Sequence, residues 1–228
     1  MSNEEKGMVT LPKSSREVVY KAGLEDVELS IGVVRAYLCK QTKAGKTPQD
    51  NDVVKFMMLC KAQHLNPWLG DAFLVGYDSQ NGPEFSLITS HASLLKRADA
   101  DDNYKGLSSG VIVRDESGKI VELEGAFYGD KDVILGGWSQ VKHAKKEFGR
   151  RKVRLQAYDK DNKFWQRDRA GMIVKCAEAS ALREAFPNVL AGNYIREEML
   201  QAIDVSGEVE VGSPRKLDAP ALTEGKPV

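Results

Sequence analysis

Cations interleaved with aromatic rings dominate one stretch of this chain. Between Trp138 and Arg183 stand thirteen lysines and arginines against five acids, a local net charge of +8. The whole chain is balanced, with 33 basic and 33 acidic residues, so the remainder carries −8. Lys142, Lys145 and Lys146 follow Trp138; Arg150, Arg151, Lys152 and Arg154 come next; Arg167 and Arg169 follow Phe164 and Trp165. Cations of this kind neutralise phosphates and release counterions, and exposed aromatic faces stack unpaired bases whatever their sequence. The pattern points to single-stranded DNA in a basic groove on an otherwise acidic body; a solvated charged face is the plain alternative. Trp138 and Trp165 are either stacking platforms or anchors of a core or a subunit interface. Along the last helical stretch Arg169 and Arg183 are fourteen residues apart, about 40° around a helix, and Lys175 and Arg183 about 80°. A row of cations on one helix can track a phosphate backbone.

Other chemistries find little support in the residue pattern. A phosphate loop needs GxxxxGK[ST] between a strand and a helix, and Ala44–Thr47 (AGKT) lacks the upstream glycine and the strand, so no ATP cradle is expected. No GxSxG elbow, HExxH pair or dinucleotide fingerprint occurs. Cys39, Cys60 and Cys176 lie far apart without CxxC spacing and read as buried thiols, and His64, His91 and His143 are equally dispersed, so neither a metal nor a cofactor is expected. Asp71, Asp99, Asp101 and Asp102 would have to converge for the alternative function, a metal-dependent nuclease or nuclease accessory protein. Asp159 and Asp161, like Asp101 and Asp102, sit in turn-like polar stretches. No apolar run is long enough for a bilayer, and the polar, acidic N-terminus offers no secretory signal, so a cytoplasmic protein is expected.

The elements that must position these cations are read from periodicity. Residues 1–28 are expected to be a flexible lead, 29–204 a single core domain, and 205–228 a disordered tail rich in Gly, Pro and charge. Helices are predicted from Leu29 or Ser30 to about Thr42 and from Asn51 to His64, the second stopped by Asn66-Pro67. AFLVGYD and FSLITS, joined through Asn81-Gly82, make a β-hairpin. A short helix at ASLLKRADA, a hairpin turning at Glu116–Gly118 and an extended pair, DVILGGWSQVKHA with RRKVRLQAY, follow. Arg169–Phe186 carries a strong helical pattern closed by Pro187. The expected class is α+β: short antiparallel strands in hairpins, backed by a long C-terminal helix, with N-terminal helices. Trp68, held at a helix exit behind Asn66-Pro67, is either a core plug or an oligomer-interface anchor.

Two motifs, HLNPWLGDAFLV at His64–Val75 and MIVKCAEASALREAFPNVLAGNYIREEM at Met172–Met199, resemble the RecT/Bet family of phage single-strand annealing proteins. The likeness extends through Phe85–Ala98 and GGWSQVKHAKK, spanning roughly Ser30 to Ile203. It implies an ATP-independent recombinase that binds single-stranded DNA as a homo-oligomer, in rings or helical filaments, pairs complementary strands into an annealed duplex intermediate, and does no covalent chemistry. It further implies a phage exonuclease and the host single-strand binding protein as partners. Mapped by motif, the DNA contacts would be Lys175, Arg183 and Arg169 on the long helix and Lys142 and Lys145 before it, with Lys55 and Lys61 as groove-wall candidates; the basic stretch itself adds Lys146, Arg151 and Arg154. Where many relatives carry Asp-Gly at the start of the short helix, this chain reads His91, Ala92 and Ser93.

Overall fold

The computed structural model describes residues 16–159 and 161–199. Its first element corrects the expected flexible lead. Strands β1 (Glu17–Ala22) and β2 (Glu25–Ser30) form an antiparallel hairpin in register from Glu17↔Ser30 to Ala22↔Glu25. Alternation explains it: Val18, Tyr20 and Ala22, then Val27 and Leu29, turn inward, and the outward positions are mostly charged. Gly23, at φ 66°, supplies the left-handed residue of the tight turn.

The first predicted helix is also corrected. Only a turn of α-helix, α1 (Ile31–Val33), and a π-turn, Val34–Leu38, form before β3 (Cys39–Lys40). Gly32 and the β-branched Ile31, Val33 and Val34 favour helix weakly, and pairing of β3 alongside β4 captures the chain instead. Helix α2 (Asp50–Ala62) follows, with the Gln49 N–H donating to the Asp52 carboxylate at 2.9 Å. It lays Val53, Phe56, Met57 and Cys60 on the first hairpin. Tyr20 Oη donates to the Leu65 carbonyl at 2.5 Å, tying hairpin to helix exit.

The remaining elements follow the expected order. β4 (Ala72–Ser79) and β5 (Gly82–Thr89) complete a β3-β4-β5 sheet, and α3 (His91–Asp99) comes next. β6 (Tyr104–Arg114), β7 (Ile120–Glu124), β8 (Val133–His143) and β9 (Arg151–Arg154) make an antiparallel sheet ordered β7-β6-β8-β9. The RRKVRLQAY segment is extended only as far as Arg154; α4 (Leu155–Tyr158) then turns Leu155 against the long-helix core. After α5 (Lys163–Arg167) the long helix α6 (Arg169–Ala185) crosses the four-stranded sheet, and α7 (Pro187–Leu190) follows. Gly137 permits that crossing, because a Cβ there would stand 2.8 Å from the Ile173 carbonyl oxygen. The fold is therefore α+β, with α6 buried by Ile173, Cys176, Ala177 and Leu182. Cys39 is only half-buried, whereas Cys60 and Cys176 are buried as expected. Among the described residues no helix is long and apolar enough to cross a membrane. The expected 205–228 tail and residues 1–15 lie outside the described residues.

Candidate nucleic-acid interface

A cleft of about 360 Å³ lies between the three-stranded sheet and the long helix. Its walls come from distant parts of the sequence: Phe73 and Val75 on β4, Ile88 and Thr89 on β5, the first turn of α3, Lys175 on α6, Lys40 on β3, and Arg196 and Glu197 beyond α7. Three cations thus face a mostly apolar floor. Burial, and then the nearby Arg196 guanidinium, hold the Lys40 ammonium below the ordinary lysine range. Arg196 is placed by stacking 4.0 Å over the Phe164 ring, and Lys175 Nζ lies 3.6 Å from Glu197 Oε1. Helix α3 opens towards the same space. Ser90 caps it, accepting from Ser93 N at 3.1 Å, while the N–H groups of His91 and Ala92 have no intrahelical carbonyl to meet and carry the positive end of the helix dipole. The arrangement suits a phosphate.

Behind the cleft, His91 Nε2 stands 2.5 Å from Glu178 Oε2, and Ser109 Oγ donates to Glu178 Oε1 at 2.5 Å. Burial opposes the charge on Glu178, but the hydrogen bonds from His91 and Ser109 outweigh it and hold the carboxyl below its usual range. In this way His91 locks α3 to α6, and Ser109 ties β6 to the same carboxylate.

The predicted cations fall on several surfaces. Lys175 alone lines the cleft. Arg183, expected beside it, turns away: its guanidinium forms a two-pronged pair with Glu198, whose carboxylate is 4% exposed, and donates to the Asn193 carbonyl at 3.1 Å. Arg169 is held by Asp159 at 2.6 Å and Asp161 at 2.7 Å, next to the α6 N-terminus. Arg151 leans onto α6, its Nε donating to Ser180 Oγ at 3.0 Å. Lys142 and Arg154 stand exposed on the other face of the sheet, and Lys145 and Lys146 lie in the loop beyond β8, their N–H groups donating to His143 Nδ1. Lys55 and Lys61 are exposed on α2 and line no part of the cleft.

Two of the three tryptophans are buried, each 2% exposed. Trp138 lies flat beside Gly110, donates its Nε1–H to the Leu123 carbonyl at 3.1 Å, and is covered by the Arg150 guanidinium at 4.3 Å, so it offers no free stacking face. Trp165 packs under α6. Trp68 is 51% exposed, its ring 6.4 Å from that of Tyr37, which is 75% exposed; it is no core plug.

Lys40 and Arg196 escaped the sequence reading because both lie outside the counted basic stretch. Their only signal was a cation beside an apolar run that proves to be a short strand, and another within the YIREEM end of the second motif. Two of the four acids of the nuclease alternative are occupied elsewhere: Asp71 accepts from Lys96 Nζ and Asn66 N, each at 2.9 Å, and Asp101 accepts from Asn103. Among the described residues no three of His, Cys, Asp and Glu stand close enough to share a metal ion. Burial pushes the Cys39 thiol up to about 11 and Cys60 to about 12, far from nucleophilic use.

Comparison with protein families matches residues 27–211 to the RecT family. Comparison with curated proteins and with solved structures gave no match.

Proposed function

From the premise that this chain belongs to the RecT family, whose members are phage-type strand-annealing recombination proteins, we propose that it binds single-stranded DNA as an oligomer and pairs complementary strands without ATP or covalent chemistry. The observation that carries the reading is the cleft, where Lys40, Lys175, Arg196 and the α3 N-terminus converge. A strand bound there lays its phosphates on the cations and leaves its bases to be paired; the Lys175–Glu197 contact exchanges for a phosphate. Lys145 and Lys146, in the loop beyond β8, extend the positive field. Trp68 and Tyr37 form the subunit contact that builds a ring or helical filament. A phage exonuclease and the host single-strand binding protein belong to the same reading as partners in the cytoplasm of the phage's host.

The test is the salt dependence of single-strand affinity. Each neutralised phosphate contributes about −0.7 to the slope of log affinity on log salt. Wild type should show a steep slope, and Lys40→Ala, Lys175→Ala and Arg196→Ala should each flatten it by about 0.7 while weakening all sequences alike. A slope near zero, or three variants indistinguishable from wild type, would refute the assignment.

A further inference from the structure

The four-stranded sheet has a second face, away from α6. Gly137, Ser139, Val141 and Val153 turn towards the helix, so Trp138, Gln140, Lys142, Lys152 and Arg154 turn the other way, as alternation requires. On the neighbouring strand Val111 and Val113 pack against α6, which puts Arg114 on the outer face too. Glu122 engages Arg150 and Lys152, each at 2.6 Å. Lys142, Arg154 and Arg114 are all exposed, and among the described residues none has a carboxylate within ion-pair distance. Along β8, Lys142 is four residues from Trp138, which pairs with Lys152, and six from Gly136, which pairs with Arg154. At about 3.3 Å per residue this is a cation row some 20 Å long.

We infer that this outer face is a second nucleic-acid surface, one that holds the backbone of duplex DNA while the cleft holds a single strand. Two observations favour a duplex. The row spans about six base pairs at 3.4 Å each. Moreover its one large ring is unavailable for stacking: Trp138 is buried beneath Arg150, and unpaired bases gain much of their affinity from stacking. The long helix and the sheet lie between this face and the cleft, so the two surfaces do not share one strand. The inference rests on the annealing reading, which requires a protein already loaded with one strand to meet a second DNA.

The experiment uses the full chain. Protein saturated with unlabelled oligothymidylate is titrated with a fluorescent duplex and followed by anisotropy, for wild type, for Lys142→Glu with Arg154→Glu, and for Lys175→Ala with Arg196→Ala. Saturated wild type should still bind the duplex. The outer-face pair should lose at least tenfold in duplex affinity with oligothymidylate affinity unchanged, and the cleft pair should do the reverse. Complete displacement of duplex by oligothymidylate overturns the inference, as does an outer-face pair that binds duplex like wild type. An outer-face pair that instead breaks up the assemblies in light scattering also overturns it, since the face would then be a subunit contact. Wild type that binds no oligothymidylate at all is the separate failure of the annealing reading.

Discussion

Replacing Arg183 with alanine separates structure from DNA contact, because motif mapping makes it a phosphate ligand and the structure makes it a strut. Its side chain is 17% exposed and its guanidinium meets both oxygens of Glu198, itself 4% exposed. It also donates to the Asn193 carbonyl and stacks 5.1 Å over the Tyr194 ring, while Ile195 N donates to the same carboxylate. Removing one partner of a buried pair leaves an uncompensated charge and costs about 3–5 kcal/mol. For a domain of this size each kcal/mol moves Tm by about 2–4 °C, so Arg183→Ala should lower it by roughly 6–20 °C. Glu198→Gln should act in the same direction. Replacing both members with methionine should recover most of the loss, since a buried pair exchanged for packed apolar side chains is often neutral. The assay is thermal unfolding by circular dichroism, paired with single-strand binding across a salt series below the melting range. The salt slope should stay that of wild type. A variant that melts with wild type but loses about 0.7 from its slope would refute this and restore Arg183 as a phosphate contact.

Three further outcomes follow from individual contacts. Trp68→Ala should give smaller assemblies by light scattering and poorer annealing with an unchanged dichroism spectrum; full-sized assemblies, or a subunit that unfolds, would count against the interface role. Glu178 has a folded pKa below its ordinary value, so its stabilising contribution is present above the usual glutamate range and is lost as pH falls through the folded value. The gap in urea midpoint between wild type and Glu178→Gln should therefore hold at neutral pH and close on acidification below about pH 4; a gap that widens in acid would contradict the pairing. Gly110→Val places a Cβ 1.8 Å from the Leu123 carbonyl oxygen and against the Trp138 indole, so it should cost several kcal/mol, about the range of severe core lesions. Near-wild-type stability there would show that the sheet can spread.

Local periodicity carried much of this fold. The β4–β5 hairpin was legible because alternation flanks an Asn-Gly turn, and α6 because its apolar residues recur at helical spacing up to Pro187. The first hairpin has the same alternation in Val18, Tyr20, Ala22, Val27 and Leu29, but its charged outward positions gave it the look of a polar lead. The site was less legible, because it depends on contacts across long stretches of chain. The +8 segment is real as composition, yet the sheet divides it, sending Arg151 to α6 and Lys142 and Arg154 to the opposite face. Arg183 looked aligned with Arg169 by helical angle, but Glu198, fifteen residues later, claims it. Lys40 reaches the cleft only because two residues of β3 pair with β4.

The most direct test of the central claim is the rate at which complementary oligonucleotides anneal, followed by fluorescence quenching without nucleotide. Wild type should accelerate annealing equally with and without ATP, and the Lys40→Ala, Lys175→Ala, Arg196→Ala triple variant should lose at least tenfold of that acceleration while keeping its Tm. A wild-type protein that anneals no faster than the strands alone, or only when ATP is supplied, would contradict the account.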